Sequence, residues 1–414
     1  MGERLYQNRI FYGWYIVIAA FIIMAVGWGI TFNTASLFIE PISRDLGLSR
    51  ETMNTTFSIR SICQLVVALS SIVIYSKFKM KSIMKAASII LPISFFLYSY
   101  IESQTTLYLL TSIYCTSIIL LGPLPLSMIL NNWFFERKGF VIGLALMGSG
   151  FGGMLFNFLT GIWITTYGWR ITYKILAIIL FIIIVPCVFL IIKIHPRDIG
   201  LTPLGKSNNC DEDKIDDNKI GSTGILISDA LRNAKFWATL FSTVLISMSG
   251  VSLMNNLSPH LTNIGYSITF SANIAALSMG SLAFGKMILG YLFDRFGLKK
   301  TTLLSCVHIV LGCFSILFAK HNIALIMIIV CVGLGTSFLT VAYPIITDKV
   351  FGQKDYRTFF CLISASDSLG GMVSPIILGR IFDISGSYNP SFVVMTIIAI
   401  IGTVAFQYNL PKGS

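Results

Sequence analysis

Residues 280–300, GSLAFGKMILGYLFDRFGLKK, form an apolar run that one lysine interrupts and that a cluster of charges ends. Lys286 has apolar neighbours on both sides, whereas Asp294 and Arg295 stand where the run stops. An ammonium at the centre of a bilayer costs about 2.5–3.5 kcal/mol on insertion scales, and such residues commonly serve a function. If this run crosses a membrane, Lys286 is either an anion ligand in a central cavity or one member of a structural ion pair.

Long apolar runs separated by short polar breaks continue over the rest of the chain. Of its 414 residues, 55% are hydrophobic and 12% are charged, whereas soluble domains have about 25% charged residues. Runs of this length suit helices that cross the hydrocarbon core and are too long for barrel strands. We predict an all-α membrane protein with twelve transmembrane helices, called spans 1 to 12, at residues 11–39, 51–75, 83–101, 105–130, 139–164, 171–194, 236–259, 270–293, 301–319, 323–346, 357–380 and 389–409.

A polar segment separates the first six spans from the last six. The composition predicts an N-terminal six-helix bundle at 1–194, a central loop at 195–235 and a C-terminal six-helix bundle at 236–414. Within the loop, NNCDEDKIDDNK (208–219) is rich in charge and poor in apolar residues, so we interpret it as a solvated linker rather than a metal site.

The basic residues indicate the orientation of the chain. The net charge is +12, and most of the 30 lysines and arginines fall in loops on one side if the N-terminus is inside the cell. This positive-inside pattern predicts cytoplasmic N- and C-termini, and it explains the charge without a nucleic-acid partner. The first apolar run continues to Ile39 without a cleavage site, so it is predicted to be a span rather than a signal peptide.

The two halves carry related segments. GYLFDRFGLKK (290–300) follows span 8, and IVIYSKFKMKS (72–82) occupies the same place after span 2. Ser76 stands in the first copy where Asp294 stands in the second. Such internal similarity is typical of transporters that are built from parallel repeats.

The pattern GxLxDRxGxKK between two helices of a half resembles the major facilitator superfamily. The segments FYGWYIV (11–17), NNWFFERKG (131–139) and HPRDIGLTPLG (195–205) are similar to those of the branch that holds oxalate/formate antiporters and monocarboxylate transporters. This resemblance implies two pseudo-symmetric six-helix bundles and secondary transport of small organic anions. It also implies that Asp294 and Arg295 belong to a gate at the cytoplasmic helix ends.

The same resemblance places Lys286 where the branch has a substrate-binding arginine in span 8. Other features of the branch are absent: Ser364 stands near the place of a span-11 lysine, Asn33 near that of a span-1 lysine, and Leu282 at that of an acid. Neither the oxalate mechanism nor the animal-type proton–lactate mechanism therefore transfers directly.

Two further charged residues lie near the middle of predicted spans. Arg60 is near the middle of span 2 and Asp367 near the middle of span 11. We hypothesise that they form a charge pair, either one that breaks and reforms during transport or a fixed bridge; Asp367 is alternatively a proton carrier. Together with Lys286 they carry a net charge of +1, which suits a monoanion. Asn33 and Tyr343 are the strongest candidates among the neutral residues for contacts with the substrate.

The predicted function is secondary active transport of a small organic anion, in particular a monocarboxylate. Transport would occur by alternating access, with proton symport or anion exchange, in the inner (plasma) membrane. We predict a monomer that is not an enzyme and has no cofactor or metal, with the anion, membrane lipids and protons as partners. Two alternatives remain: a drug or cation exporter of the same superfamily that uses Asp367, and a membrane receptor that transports nothing.

Overall fold

The computed structural model describes residues 11–48, 50–204 and 224–410. In these residues ten helices are long and apolar enough to cross a membrane: Tyr12–Phe38, Thr55–Lys77, Met80–Tyr98, Gln104–Trp133, Lys138–Ile191, Ala234–Asn263, Asn273–Phe318, Asn322–Phe351, Tyr356–Phe382 and Asn389–Asn409. The predicted all-α membrane architecture is confirmed.

Two of these helices are too long for a single crossing. Lys138–Ile191 has 54 residues and Asn273–Phe318 has 46, whereas about 20 residues cross the hydrocarbon core. Each is broken at one glycine, Gly168 (φ 79°, ψ 165°) and Gly297 (φ 78°, ψ 176°). A positive φ of this kind is readily adopted only by glycine. The breaks divide the two helices into spans 5 and 6 and into spans 8 and 9, so that ten helices correspond to the twelve predicted spans.

Short elements join the two halves at one end of the molecule. The helical turn Pro196–Ile199 and the helix Ile227–Leu231 lie inside the predicted central loop. The backbone of Leu204 forms hydrogen bonds with Trp133 and Phe135, at the end of span 4. The amide of Ile227 donates to Asp355, just before span 11. We call this side of the molecule the linker end; the acidic run predicted as a linker lies outside the described residues.

Span 5 packs directly against the backbones of spans 1 and 8. A Cβ added at Gly139 would lie 2.6 Å from the carbonyl oxygen of Gly290, and one at Gly143 would lie 2.5 Å from that of Lys286. On another face of span 5, Gly148 and Gly152 lie against the backbone of span 1. Small residues at this spacing let membrane helices approach closely.

We expect Gly152→Val to destabilise the protein strongly, because a side chain there would overlap the backbone of Ala25. Overpacking in a closely packed interior costs about 1–3 kcal/mol. Gly161→Val is the matched control, since Gly161 lies on the same helix with nothing within 4 Å of the added Cβ. Thermal unfolding of both variants in detergent, followed by gel filtration, measures the difference. Equal melting temperatures for the two variants would contradict this account of the packing.

Candidate functional site

Lys286 lies where spans 1, 5 and 8 meet. Its ammonium donates a hydrogen bond of 2.6 Å to the hydroxyl of Ser149 on span 5, and its side chain is only 4% exposed. The side-chain amide of Asn33, near the end of span 1, donates to the backbone carbonyl of the same serine at 2.9 Å. Ser149 therefore connects two of the predicted site residues, which lie in opposite halves of the protein.

Lys286 has no carboxylate partner among the side chains that the structure describes. The alternative of a structural ion pair is therefore not supported within that part of the chain. An ammonium has three N–H donors, and one hydroxyl satisfies only one of them. In the low-dielectric interior, a charge that is only partly satisfied interacts strongly with an anion that can approach it.

Asp367 belongs to a separate group of side chains in the C-terminal half. Its Oδ1 accepts hydrogen bonds from the hydroxyl of Ser247 at 2.7 Å and from that of Tyr343 at 2.8 Å. These residues lie on spans 7, 10 and 11. Tyr343 is buried, and its described polar contact is with this carboxylate. The structure thus places Tyr343 as a partner of Asp367.

Arg60 and Asp367 do not form the predicted charge pair. Arg60 donates to the hydroxyl of Tyr114 on span 4 at 2.6 Å, within the N-terminal half. Asp367 is held by hydroxyl donors of its own half, so each charge has found neutral partners nearby. The structure therefore does not contain the fixed bridge that we hypothesised. Arg60, Asp367 and Lys286 each have different partners.

Asp294 joins the two halves near the linker end. Its two carboxylate oxygens accept hydrogen bonds from the backbone amides of Gly139 (3.1 Å) and Phe140 (2.8 Å), in the first turn of span 5. The amides at a helix N-terminus lack partners within the helix, and the helix dipole favours a negative charge there. Asp294 thus caps span 5 from the opposite half.

Two neighbouring contacts strengthen this closure. Lys138 forms a salt bridge of 3.2 Å with Asp348 at the end of span 10. The guanidinium of Arg357, at the start of span 11, lies 5.9 Å from the centre of the Tyr75 ring, at the end of span 2. Tyr75 immediately precedes Ser76, the residue that replaces the acid in the first repeat. An aromatic contact therefore occurs where the N-terminal copy lacks a carboxylate.

Arg295, the second residue predicted for the gate, contacts its own segment. Its guanidinium donates to the hydroxyl of Tyr291 and lies 5.5 Å from the Phe296 ring. Sequence analysis did not single out Ser149, Lys138 or Asp348 as site residues. Ser149 lies in a glycine-rich helix and gives no signal of its own, and the salt bridge between Lys138 and Asp348 joins residues that are distant in sequence.

Comparison with known proteins agrees with this geometry. The family model described as Major Facilitator Superfamily matches residues 16–352 and 240–413. The chain belongs to the major facilitator superfamily. It is a transporter of that superfamily and a multi-pass membrane protein.

Individual members of the superfamily are similar over most of the chain. Monocarboxylate transporter 13 of Bos taurus is 25% identical over 398 residues, covering 95% of this chain and 88% of its own length. The benzoate transport protein of Acinetobacter baylyi is 24% identical over 298 residues, covering 64% of this chain and 60% of its own. A crystal structure of the transporter FucP in the outward conformation superposes with a TM-score of 0.72 at 14% identity, covering 96% of this chain and 100% of that one.

We expect Asp294→Asn to open the linker end. The substitution removes the charge that two helix-start amides bind, and such charge-assisted hydrogen bonds contribute about 1.5–3 kcal/mol. Spin labels at Phe135 and Lys354, in a background without the native cysteines, report the distance between the halves by electron double resonance. We expect the population at longer distance to rise about tenfold or more.

Arg295→Gln is the matched control for this measurement, because the described contacts of Arg295 are confined to its own segment. Its distance distribution should equal that of the unmodified protein. Identical distributions for Asp294→Asn and the unmodified protein would show that this carboxylate does not hold the halves together.

Proposed function

We propose that this protein is a secondary active transporter of a small organic anion, in particular a monocarboxylate. It would work in the inner membrane, with both termini in the cytoplasm, and the linker end would be the cytoplasmic end. The contacts of Asp294 and Lys138 would then form a cytoplasmic gate that breaks when the two six-helix bundles rock about the substrate.

The observation that carries this proposal is the environment of Lys286. It is a buried ammonium on a membrane-spanning helix, at the junction of both halves, and its described polar partner is a neutral hydroxyl. A carboxylate that reached it would replace a contact between a charge and a neutral hydroxyl by a contact between two opposite charges, which is stronger in a low-dielectric interior. Lys286 also lies where alternating access requires a side chain that binds the substrate, because the substrate must be held between the two bundles.

The charge of the region favours a monoanion. Lys286 and Arg60 are offset by Asp367, so the three residues sum to one positive charge. A lysine presents a compact point charge rather than the planar fork of an arginine, so it binds a carboxylate with less geometric selectivity. The names of similar proteins, a monocarboxylate transporter and a benzoate transport protein, agree with a carboxylate substrate.

Asp367 is the residue that we assign to proton coupling. Its carboxylate is partly buried and bound by two hydroxyl groups, without a cation among its described partners. Taking up a proton would remove a negative charge from the region of the two cations and so favour entry of the anion. This arrangement would couple proton and anion without direct contact between them.

Lys286→Met should reduce uptake of the transported monocarboxylate at least about tenfold, since an interaction with a charged group is lost. Lys286→Arg should retain uptake, because it keeps the cation. The measurement is uptake of labelled formate, acetate, lactate, pyruvate and benzoate by purified protein in liposomes, with and without an internal anion or a pH gradient. Lys320→Met, at an exposed lysine, is the control. Undiminished uptake by Lys286→Met would make this lysine structural and direct the search to cations near Asp367.

Asp367→Asn should abolish uptake that is driven by a pH gradient while anion exchange continues. Asparagine keeps the shape of the carboxyl group and cannot release a proton. Tyr343→Phe, which removes one of the two hydrogen bonds to Asp367, should weaken coupling less severely. The ratio of proton-driven uptake to exchange, measured in the same liposomes, separates the two effects. If Asp367→Asn left proton-driven uptake intact, the coupling group would have to be sought elsewhere.

A further inference from the structure

Arg60 is a second buried cation, and one of its donors has no partner. Its side chain is 8% exposed, and its described hydrogen bond goes to the hydroxyl of Tyr114. Its Nε has no hydrogen-bond partner, and no described carboxylate forms an ion pair with it. A guanidinium carries five N–H donors in a planar fork that matches a carboxylate. Buried donors without partners are costly, so a group of this kind calls for an acceptor.

Aromatic rings surround this guanidinium. Its carbon atom lies 5.0 Å from the centre of the Phe57 ring, 5.6 Å from that of Tyr114 and 5.8 Å from that of Phe32. The Phe32 ring in turn stacks on Trp28 at 4.5 Å, with an angle of 7° between the planes. The rings attract the cation through their faces but accept no conventional hydrogen bond from it. The Arg60 guanidinium therefore lies between aromatic rings, which we call the apolar walls of this group.

One of these walls faces away from the lipid. The exposed apolar residues of span 2 include Ile62, Val66, Leu69 and Val73, which form a single stripe along the helix. Phe57 is nine residues before Val66, which is two and a half helical turns, so the two side chains point in opposite directions. Phe57 is nevertheless 36% exposed. The Phe57 ring is therefore turned away from that stripe while part of its surface stays exposed.

Span 1 places this group beside the Lys286 site. Phe32, which contacts Arg60, is followed directly by Asn33, which bonds Ser149, the partner of Lys286. The two buried cations are thus linked through two consecutive residues of span 1 and through Ser149.

We propose that Arg60, Phe32 and Phe57 form a subsite that selects carboxylates with a flat apolar body, such as aromatic acids, over formate, acetate and lactate. The guanidinium would bind the carboxylate in its own plane, and the body of the substrate would extend along the ring faces. The ring faces offer no conventional hydrogen-bond acceptor to a hydroxyl on the body of the substrate, so lactate would gain less from this subsite than a flat aromatic acid. This inference rests on the proposed function, since it assigns the substrate class of that same carrier.

The test is the affinity of the purified protein for benzoate, phenylacetate, acetate and lactate, measured by isothermal titration calorimetry. We expect benzoate to bind about tenfold more tightly than acetate. Phe57→Leu should remove this preference, because it should weaken benzoate binding about tenfold more than acetate binding. Phe158→Leu, at an exposed phenylalanine of span 5, is the matched control and should change neither affinity. Arg60→Gln should weaken every carboxylate, and Arg60→Lys should restore binding without the preference.

The outcomes separate this inference from the proposed function. If carboxylates bind and Lys286→Met abolishes binding, while Phe57→Leu leaves the benzoate-to-acetate ratio unchanged and Arg60→Gln leaves every affinity unchanged, the subsite is wrong and the transporter proposal stands. If the unmodified protein neither binds nor transports any carboxylate, both proposals fail. Gel filtration of each variant confirms that it is folded before titration.

Discussion

The close approach of span 5 to spans 1 and 8 is the constraint on which the site depends. Lipid tails are as apolar as the side chains, so helices in a membrane associate through close packing and hydrogen bonds rather than through the hydrophobic effect. Glycines on two faces of span 5 allow backbone contact with both neighbours. Ser149 lies in that same glycine-rich segment, and this is why it can reach Asn33 on one side and Lys286 on the other.

One face of span 8 carries both the candidate anion ligand, Lys286, and the residue that caps span 5, Asp294. Lys286, Gly290 and Asp294 follow one another at intervals of four residues, so they lie on neighbouring positions of the same helix face. All three contact span 5, through a hydroxyl, a backbone carbonyl and two backbone amides in turn. An anion that displaced Lys286 from Ser149 would therefore act on the same interface that Asp294 closes. Under the proposed function, substrate binding would then be connected to opening of the linker end within span 8 itself.

Hydropathy predicted the helices well because a membrane leaves few alternatives for an apolar run of 20 residues. The motif that contains Asp294 predicted a contact between helix ends, but its partners are backbone amides, which no residue type reveals. The predicted pair of Arg60 and Asp367 is absent from this structure. Arg60 donates to a tyrosine hydroxyl of its own half, and Asp367 accepts from a serine and a tyrosine hydroxyl of the other half, which the charges in the sequence could not show. The aromatic surroundings of Arg60 depend on spans 1, 2 and 4 together, and spacing within one helix cannot show them.

The single-residue breaks at Gly168 and Gly297 have a mechanical consequence. Spans 5 and 6 turn into each other at one glycine, as do spans 8 and 9, without a flexible loop between them. Because each connection is this short, a tilt of span 5 against span 8 would also displace spans 6 and 9. In each pair, the span at the interface (5 or 8) and the span toward the lipid (6 or 9) would then move together. The surrounding bilayer, through its thickness and lateral pressure, would thereby bear on the equilibrium between the two conformations of the carrier.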